Sequence, residues 1–305
     1  MAGDTSLRAT KTPSHRMPLD RSRIAQAFSR AAGDYEQTAV LQRLVGDELL
    51  SRLAVAATEP ARVLDIGAGS GRLSGLLKKR WPKAEVVAVD LALGMLREAR
   101  RHIGWFRPFR RVAGDAQALP FAEGSVDLIV SNLCLQWCDL KAAVHEFRRV
   151  LRPGGWLLFT SFGPDTLKEL REAWRAADER PHVHVFLDMH DVGDAVLAQG
   201  FVDPMFDVER YTLTYPDARA LMRELKTIGA GNALGERRRG LTGRAAFARM
   251  LDAYEAFRSD GRLPASYEVI FGQAQAPQAG APLRGPRGDL ASFSVEAMRA
   301  RLRQR

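Results

Sequence analysis

The sequence predicts an α/β protein built on a doubly wound, mostly parallel sheet of seven strands, and three observations carry that expectation. Short runs rich in Val, Leu and Ile alternate with stretches of helical period from Ala61 to Phe162, the order that lays parallel strands beside one another with helices on both faces. The first run, "VLDIGAGSG" at 63–71, passes straight into alternating glycines. Carboxylates then stand at the ends of the first three strands, as Asp65, Asp90 and Asp115.

Taken in order, Arg21 to about Ala56 reads as helix. Ala25, Phe28, Ala32, Tyr35, Ala39, Leu41, Leu44, Val45 and Leu49 recur at helical intervals, with a break expected near "AAGD" at 31–34. Strands follow at Ala61–Gly67, Ala84–Asp90, Phe109–Asp115 and Val126–Asn132, separated by helices at Gly71–Trp81 and Ala92–His102. A helix at Leu140–Leu151 leads to a fifth strand at Gly154–Phe162. Beyond it the pattern gives helices at 164–177 and 189–199, a strand at Met205–Tyr215, a helical stretch from Pro216 to Ser259 and a last strand at Ala265–Gln275. The remainder, from Pro277, is rich in Gly, Pro and Arg and reads as a mostly disordered tail.

Composition narrows the function classes. At 305 residues with 46% hydrophobic content, the chain can bury a large core. No run approaches the roughly 18–20 apolar residues of a membrane helix, and the basic start lacks the apolar centre of a secretory signal, so a cytoplasmic protein is expected. Two cysteines, Cys134 and Cys138, are too few for a disulfide framework, and no Cys or His cluster has zinc-site spacing, so no metal is expected. The net charge of +9 suits an acidic partner. Its arginines gather at 101–111, 235–240 and 298–305 without any nucleic-acid-binding motif, which favours an acidic protein or a solvated surface over nucleic acid.

A loop that leaves a buried strand and turns sharply into a helix needs glycine wherever a ligand must touch backbone. Here the spacing is G-x-G-x-G, at Gly67, Gly69 and Gly71. It fits neither the dinucleotide fingerprint G-x-G-x-x-G nor a P-loop with its Lys-Ser/Thr. Asp90, about twenty residues on, can accept from both hydroxyls of a ribose. Asp115 with its neighbouring backbone can take an exocyclic amine, and all three carboxylates are expected to face one crevice. They would repel an anionic nucleotide; a cationic ligand with a ribose and an adenine, S-adenosylmethionine, fits them.

The stretches "VLDIGAGSGRLS", "VVAVDLALGML", "GDAQALPF", "VDLIVSNLCLQW" and "VLRPGGWLLFTSF" resemble the successive motifs of class I S-adenosylmethionine-dependent methyltransferases, over about Ala61 to Phe162. A narrower resemblance, over most of Arg21 to Ala274, is to the malonyl-[acyl-carrier protein] O-methyltransferases of biotin synthesis. It rests on "FSRAAGDYEQTAVLQ", "SNLCLQWC", "FGPDTLKELREAW", "DMHDVGDAVLAQGFVDP", "YTLTYPDARALMRELKTIGAGN" and "RLPASYEVIFGQA". The resemblance implies a Rossmann-like core, S-adenosylmethionine as methyl donor with S-adenosylhomocysteine as product, and methylation of the free carboxylate of a malonyl thioester on an acidic acyl carrier protein. It implies no nucleic-acid or membrane partner and leaves the oligomeric state open.

Carried onto this sequence, the cofactor residues are Asp65, Gly67, Gly69, Gly71, Asp90, Leu91, Asp115, Ala116 and Asn132. Tyr35 is expected over the cofactor, Gln136 as donor to the substrate carboxylate and Trp137 as a wall against water. Phe162, Tyr211, Lys226 and Asn232 are expected at the substrate. A carboxylic acid with a pKa of about 4 is already ionised at neutral pH, so no general base is required. The expected organisation is a disordered segment at 1–20, a helical cap at 21–57, a core at 58–215 plus 262–275, a helical lid at 216–261 between the last two strands, and a disordered or weakly helical basic tail at 276–305. Two readings stand beside it: methylation of a quinone precursor or another small acid, and a respiratory complex I assembly factor of the same fold, associated with arginine hydroxylation.

Overall fold

The computed structural model describes residues 20–53, 59–178, 182–230 and 243–280, and two short strands at 283–285 and 288–290. The expected disordered start and the arginine run at 235–240 lie outside these residues. The chain opens with helices α1 (Arg21–Thr38) and α2 (Val40–Arg52). Asp20 caps α1 by accepting from the Arg23 N–H at 3.0 Å. The break falls at Ala39 and not in "AAGD": Gly33 sits in open space on the exposed side of α1 and Ala32 is buried, so the helix runs through. A glycine in a helix interior costs only about 1 kcal/mol, less than the packing on either side contributes.

Strands β1 (Arg62–Ile66), β2 (Glu85–Asp90), β3 (Arg110–Ala113), β4 (Val126–Ser131) and β5 (Leu151–Phe162) pair in parallel, and β6 (Val202–Tyr215) and β7 (Leu263–Gln275) complete the sheet antiparallel. The seven-stranded order is β3-β2-β1-β4-β5-β7-β6. Between β1 and β4 the winding reverses, and a crevice opens there at the carboxyl ends of the strands. Helices α3 (Arg72–Arg80), α4 (Leu93–Glu98) and α5 (Leu140–Val150) make the crossovers. They are followed by α6 (Lys168–Ala177) and α7 (Met189–Ala198) after β5, and by α8 (Ala218–Thr227) and α9 (Arg244–Glu255) between β6 and β7.

Both sheet faces are covered, so the inner strands are buried almost throughout. The two-residue period of β1 sends Val63 into the core shared with Leu49, Leu77 and Tyr254, and Leu64 and Ile66 into the opposite one with Val89, Ile129 and Phe147. Asp65 therefore points to the Val63 face. It accepts from Ser74 Oγ of α3 at 2.5 Å, and lines a small pocket with Tyr35, Gly67, Gly69 and Asn132.

Within the expected tail, β8 (Leu283–Gly285) and β9 (Gly288–Leu290) pair antiparallel, where the composition suggested no strand. The rest of the tail, beyond 290, lies outside the described residues.

Candidate active site

The glycine turn after β1 is shaped by its backbone. Gly67, Gly69 and Gly71 have φ of +71°, +54° and +76°, a region that side chains enter at a cost. Their roles differ. A Cβ on Gly69 would meet only Tyr35 Cε1 at 3.7 Å, so that position is open to the cavity; one on Gly67 would strike Cys134 Cβ and Sγ at 2.5 Å. One on Gly71 would reach Ala99 Cβ at 2.6 Å and Phe109 Cζ at 3.1 Å. Gly71 thus serves the close approach of α3 to the chain after α4, and it does not line the cavity.

Asp90 at the tip of β2 holds this turn. Its Oδ2 accepts the Gly69 N–H at 2.8 Å and its Oδ1 the Ala92 N–H at 2.7 Å. Each oxygen keeps a second lone pair for a ligand hydroxyl. Burial pushes its carboxyl above the ordinary range, and the hydrogen bonds from Ala92, Gly69 and Leu91 oppose that. At the tip of β3, Asp115 Oδ1 accepts from the Gln117 N–H at 2.9 Å, and Oδ2 pairs with Arg21 of α1 at 2.6 Å.

These groups open into a cavity of about 890 Å3, near the top of the roughly 300–1,000 Å3 range of small-molecule sites. Gly67, Gly69, Asp90, Leu91, Asp115, Ala116 and Asn132 line one end. Asn132 is locked there, its Nδ2 donating to Gln42 O at 2.9 Å and its Oδ1 accepting from Thr160 Oγ1 at 2.8 Å. α1 closes the cavity with Phe28 and Tyr35, seven residues apart and so on one helix face. Burial, and then the nearby Asp90 and Cys134, raise the Tyr35 pKa, so its hydroxyl remains a proton-bearing donor.

Aromatic rings continue the wall. Phe28 meets Trp137 edge-on at 5.5 Å between centroids, Trp137 stacks near His184 at 6.1 Å, and His184, Phe186, Phe162 and Tyr267 follow at 5.2, 5.4 and 5.9 Å. Thr166, Leu170, Trp174, His182, Met222 and Lys226 line the same cavity. Leu133 and Leu167 both line the cavity with positive φ, 48° and 55°, in a region that costs a branched side chain about 1–3 kcal/mol. Their turns are held by Thr160 Oγ1, which accepts from the Leu133 N–H at 2.9 Å, and by Ser266 O, which accepts from the Leu167 N–H at 2.6 Å.

A family model described as a methyltransferase domain matches residues 64–159. Over 266 residues the chain is 46% identical to the malonyl-[acyl-carrier protein] O-methyltransferase of Gallionella capsiferriformans, covering 85% of this chain and 92% of that one. Over 288 residues it is 48% identical to the enzyme of the same name from Xylella fastidiosa, covering 93% and 98%. The chain belongs to the malonyl-[acyl-carrier protein] O-methyltransferase family. Its fold is also that of the YcgJ protein of Bacillus subtilis, with TM-score 0.53 at 20% identity over 76% of this chain and 99% of that one.

The malonyl-[acyl-carrier protein] O-methyltransferase family uses S-adenosylmethionine, and the residues present fit it. The open position at Gly69 and the acceptors of Asp90 and Asp115 suit a cationic nucleoside better than a nucleotide phosphate. Of the residues expected at the site, Tyr35, Gln136, Trp137, Phe162 and Lys226 also line the cavity. Gln136 does so as an acceptor: its Nε2 donates to Leu133 O at 2.6 Å, while its buried Oε1 has no hydrogen-bond partner among the described residues. Tyr211 lies outside, because the strand period turns its hydroxyl to Glu209 Oε2 at 2.7 Å on the same face of β6. Asn232 falls outside the described residues.

Phe28, Trp174 and His182 were not singled out from the sequence, although two signals existed. Phe28 repeats the face of Tyr35 after two helical turns, and Asp178 and His182 stand four apart beside a tryptophan.

Asp65 carries a testable consequence. Burial, reinforced by Asp90 and opposed by the Ser74 hydrogen bond, pushes its carboxyl from about 3.8 up to about 7. An acid whose folded value is raised stabilises least when ionised, so this group's penalty is absent below about 3.8 and complete above about 7. Asp65→Asn keeps an acceptor for Ser74 and removes the charge. Urea midpoints measured from pH 4 to 8 are expected to show the variant gaining on the parent as pH rises, by on the order of a few kcal/mol.

Proposed function

We propose that this chain methylates the free carboxylate of a malonyl thioester carried on an acyl carrier protein. The observation that carries this reading is a single cavity in which an acid-lined nucleoside cradle opens into an aromatic chamber with Arg21, Arg23, Arg30, Arg223 and Lys226 along its lining. The malonyl-[acyl-carrier protein] O-methyltransferases that match nearly the whole chain favour this substrate over a quinone precursor or a protein arginine.

Bound S-adenosylmethionine supplies an electrophilic methyl on a sulfonium. Asp90 accepts the ribose hydroxyls, Asp115 and the backbone at Ala116 take the adenine edge, and the bare backbone of Gly69 admits the chain that bears the sulfur. The orphaned Oε1 of Gln136 accepts from an N–H of the ligand and leaves the carboxylate to other groups. Phe28, Tyr35 and Trp137 exclude water while a carboxylate oxygen attacks the methyl carbon in line with the sulfur. The C–O bond forms as the C–S bond breaks and its electron pair returns to sulfur; no proton moves. Anion and cation cancel in the transition state, so a closed apolar chamber favours it over the solvated reactants. The cationic side chains of α1 and α8 suit an acidic carrier protein at the mouth.

Purified protein given methyl-labelled S-adenosylmethionine and malonyl-carrier protein should form a base-labile methyl ester. Absence of that ester from a protein that still binds the cofactor overturns the reading.

A further inference from the structure

The cavity that holds the nucleoside cradle is also lined by apolar side chains, Leu170, Trp174, Met222 and Leu225 among them, and by His182. That histidine is tightly constrained. Its ring lies flat on Trp174, centroids 3.7 Å apart and planes 8° from parallel. Its Nε2 meets Asp178 Oδ1 at 2.8 Å, and its Nδ1 has no hydrogen-bond partner among the described residues. The imidazole is 17% exposed and its carboxylate partner 25%.

From this geometry we infer that His182 is the anchor for the free carboxylate of the substrate, its ring set in place by Asp178 and Trp174. The inference rests on the proposed carboxyl methylation and adds the group that selects the acid. Asp178 engages Nε2, so Nδ1 is the ring nitrogen left to a ligand, and when the ring carries both protons it donates there to a carboxylate. An oxygen held there leaves the carboxylate's second oxygen to face the methyl. Among the other cations, Arg249 of α9 donates to Ala177 O at 2.8 Å, and Arg223 and Lys226 of α8 are exposed. Trp174 fixes the ring plane by stacking flat against it.

The predicted selectivity is for thioesters with a free terminal carboxylate over those without one. The test uses the full chain saturated with S-adenosylhomocysteine, so that no methyl transfer occurs, and measures binding of malonyl-coenzyme A and acetyl-coenzyme A by calorimetry. The wild type should prefer the malonyl thioester. His182→Ala should remove about tenfold to hundredfold of that preference, the range of a charge-assisted hydrogen bond, with the S-adenosylhomocysteine affinity unchanged. His182→Gln, which keeps a donor, should retain part of it, and thermal melts separate loss of binding from loss of fold. Steady-state kinetics should show the same loss as a raised KM for the malonyl thioester. An unchanged malonyl preference in folded His182→Ala overturns the inference even if the wild type makes methyl ester, and so does a wild type with no preference. Selective binding lost in His182→Ala, from a wild type that forms no ester, keeps the anchor and overturns the function.

Discussion

Asp90→Ala is expected to weaken S-adenosylmethionine binding by at least about a hundredfold. The carboxylate has two jobs at once. Toward the ligand it offers acceptors for two ribose hydroxyls, and a hydrogen bond to a charged group contributes about 1.5–3 kcal/mol, so losing both removes roughly 3–6 kcal/mol of binding. Toward the protein it gathers the Gly69 and Ala92 N–H groups at 2.8 and 2.7 Å, which sets the glycine turn against the start of α4. Alanine leaves both amides without their acceptor and lets the turn relax, which adds to the loss. The fold should survive, since a buried carboxylate raised by its own desolvation also costs stability and its removal offsets part of the lost hydrogen bonding. Calorimetry with S-adenosylmethionine and S-adenosylhomocysteine checks the affinity, and a thermal melt checks the fold. Affinity within threefold of the parent would mean that the ribose lies elsewhere.

That carboxylate could be found from the sequence because its signal is local: an acid at the end of a β-branched run, a set distance after a glycine turn. The strands and their order of appearance were legible for the same reason, each being a short apolar run with its own period. What could not be read was anything decided by direction or by contact between distant segments. Asp65 sits one residue before Ile66 at the end of β1, yet the two-residue period turns it to Ser74 of α3. Gly71 belongs to the same glycine series as Gly69, and only the proximity of Ala99 separates a packing glycine from a ligand-facing one. Tyr211 lies in a stretch typical of the family but faces Glu209. His182 lies beyond the strand-end motifs and carries no local signal of the site; it stacks on Trp174 and lines the cavity.

Substituting Gly94 with valine is the second large effect, and it is expected to act on the closure of the site without touching the ligand. Gly94 is a helical glycine on α4 with ordinary dihedrals, so nothing in the sequence marks it out. In the structure α1 crosses α4 at this point, and a Cβ there would lie 2.6 Å from Ser29 Cα and 2.9 Å from Ser29 C. The obstacle is backbone, which cannot swing aside as a side chain can. The Gly94 N–H also donates to Ser29 Oγ at 3.2 Å, pinning the same crossing. On helix propensity alone, replacing the glycine with alanine would stabilise α4 by about 1 kcal/mol, and valine by less. Overpacking against helix backbone costs about 1–3 kcal/mol, so the clash sets the sign.

The strain is relieved most readily by moving α1 outward, because α1 is peripheral while α4 is tied through Ala92 to Asp90. Outward movement withdraws Phe28 from Trp137 and Tyr35 from Gly69, the contacts that shut water out. On the other side Gly229, at φ +78° after α8, faces α1 so closely that a Cβ there would lie 3.2–3.3 Å from the Ala27 and Phe28 backbone, so α1 is seated between two glycines and displacement at one disturbs the other. The expected result is cofactor release faster by about 5- to 150-fold, the same 1–3 kcal/mol expressed as a rate, and methyl transfer slowed as water enters. The sheet should remain intact, with an unchanged far-UV spectrum. Stopped-flow release of S-adenosylhomocysteine from Gly94→Val and Gly229→Val measures the effect directly. Release at the parent's rate in both would show that α1 does not seal the cavity, and water exclusion would then have to come from Trp137 and the chain between β6 and β7.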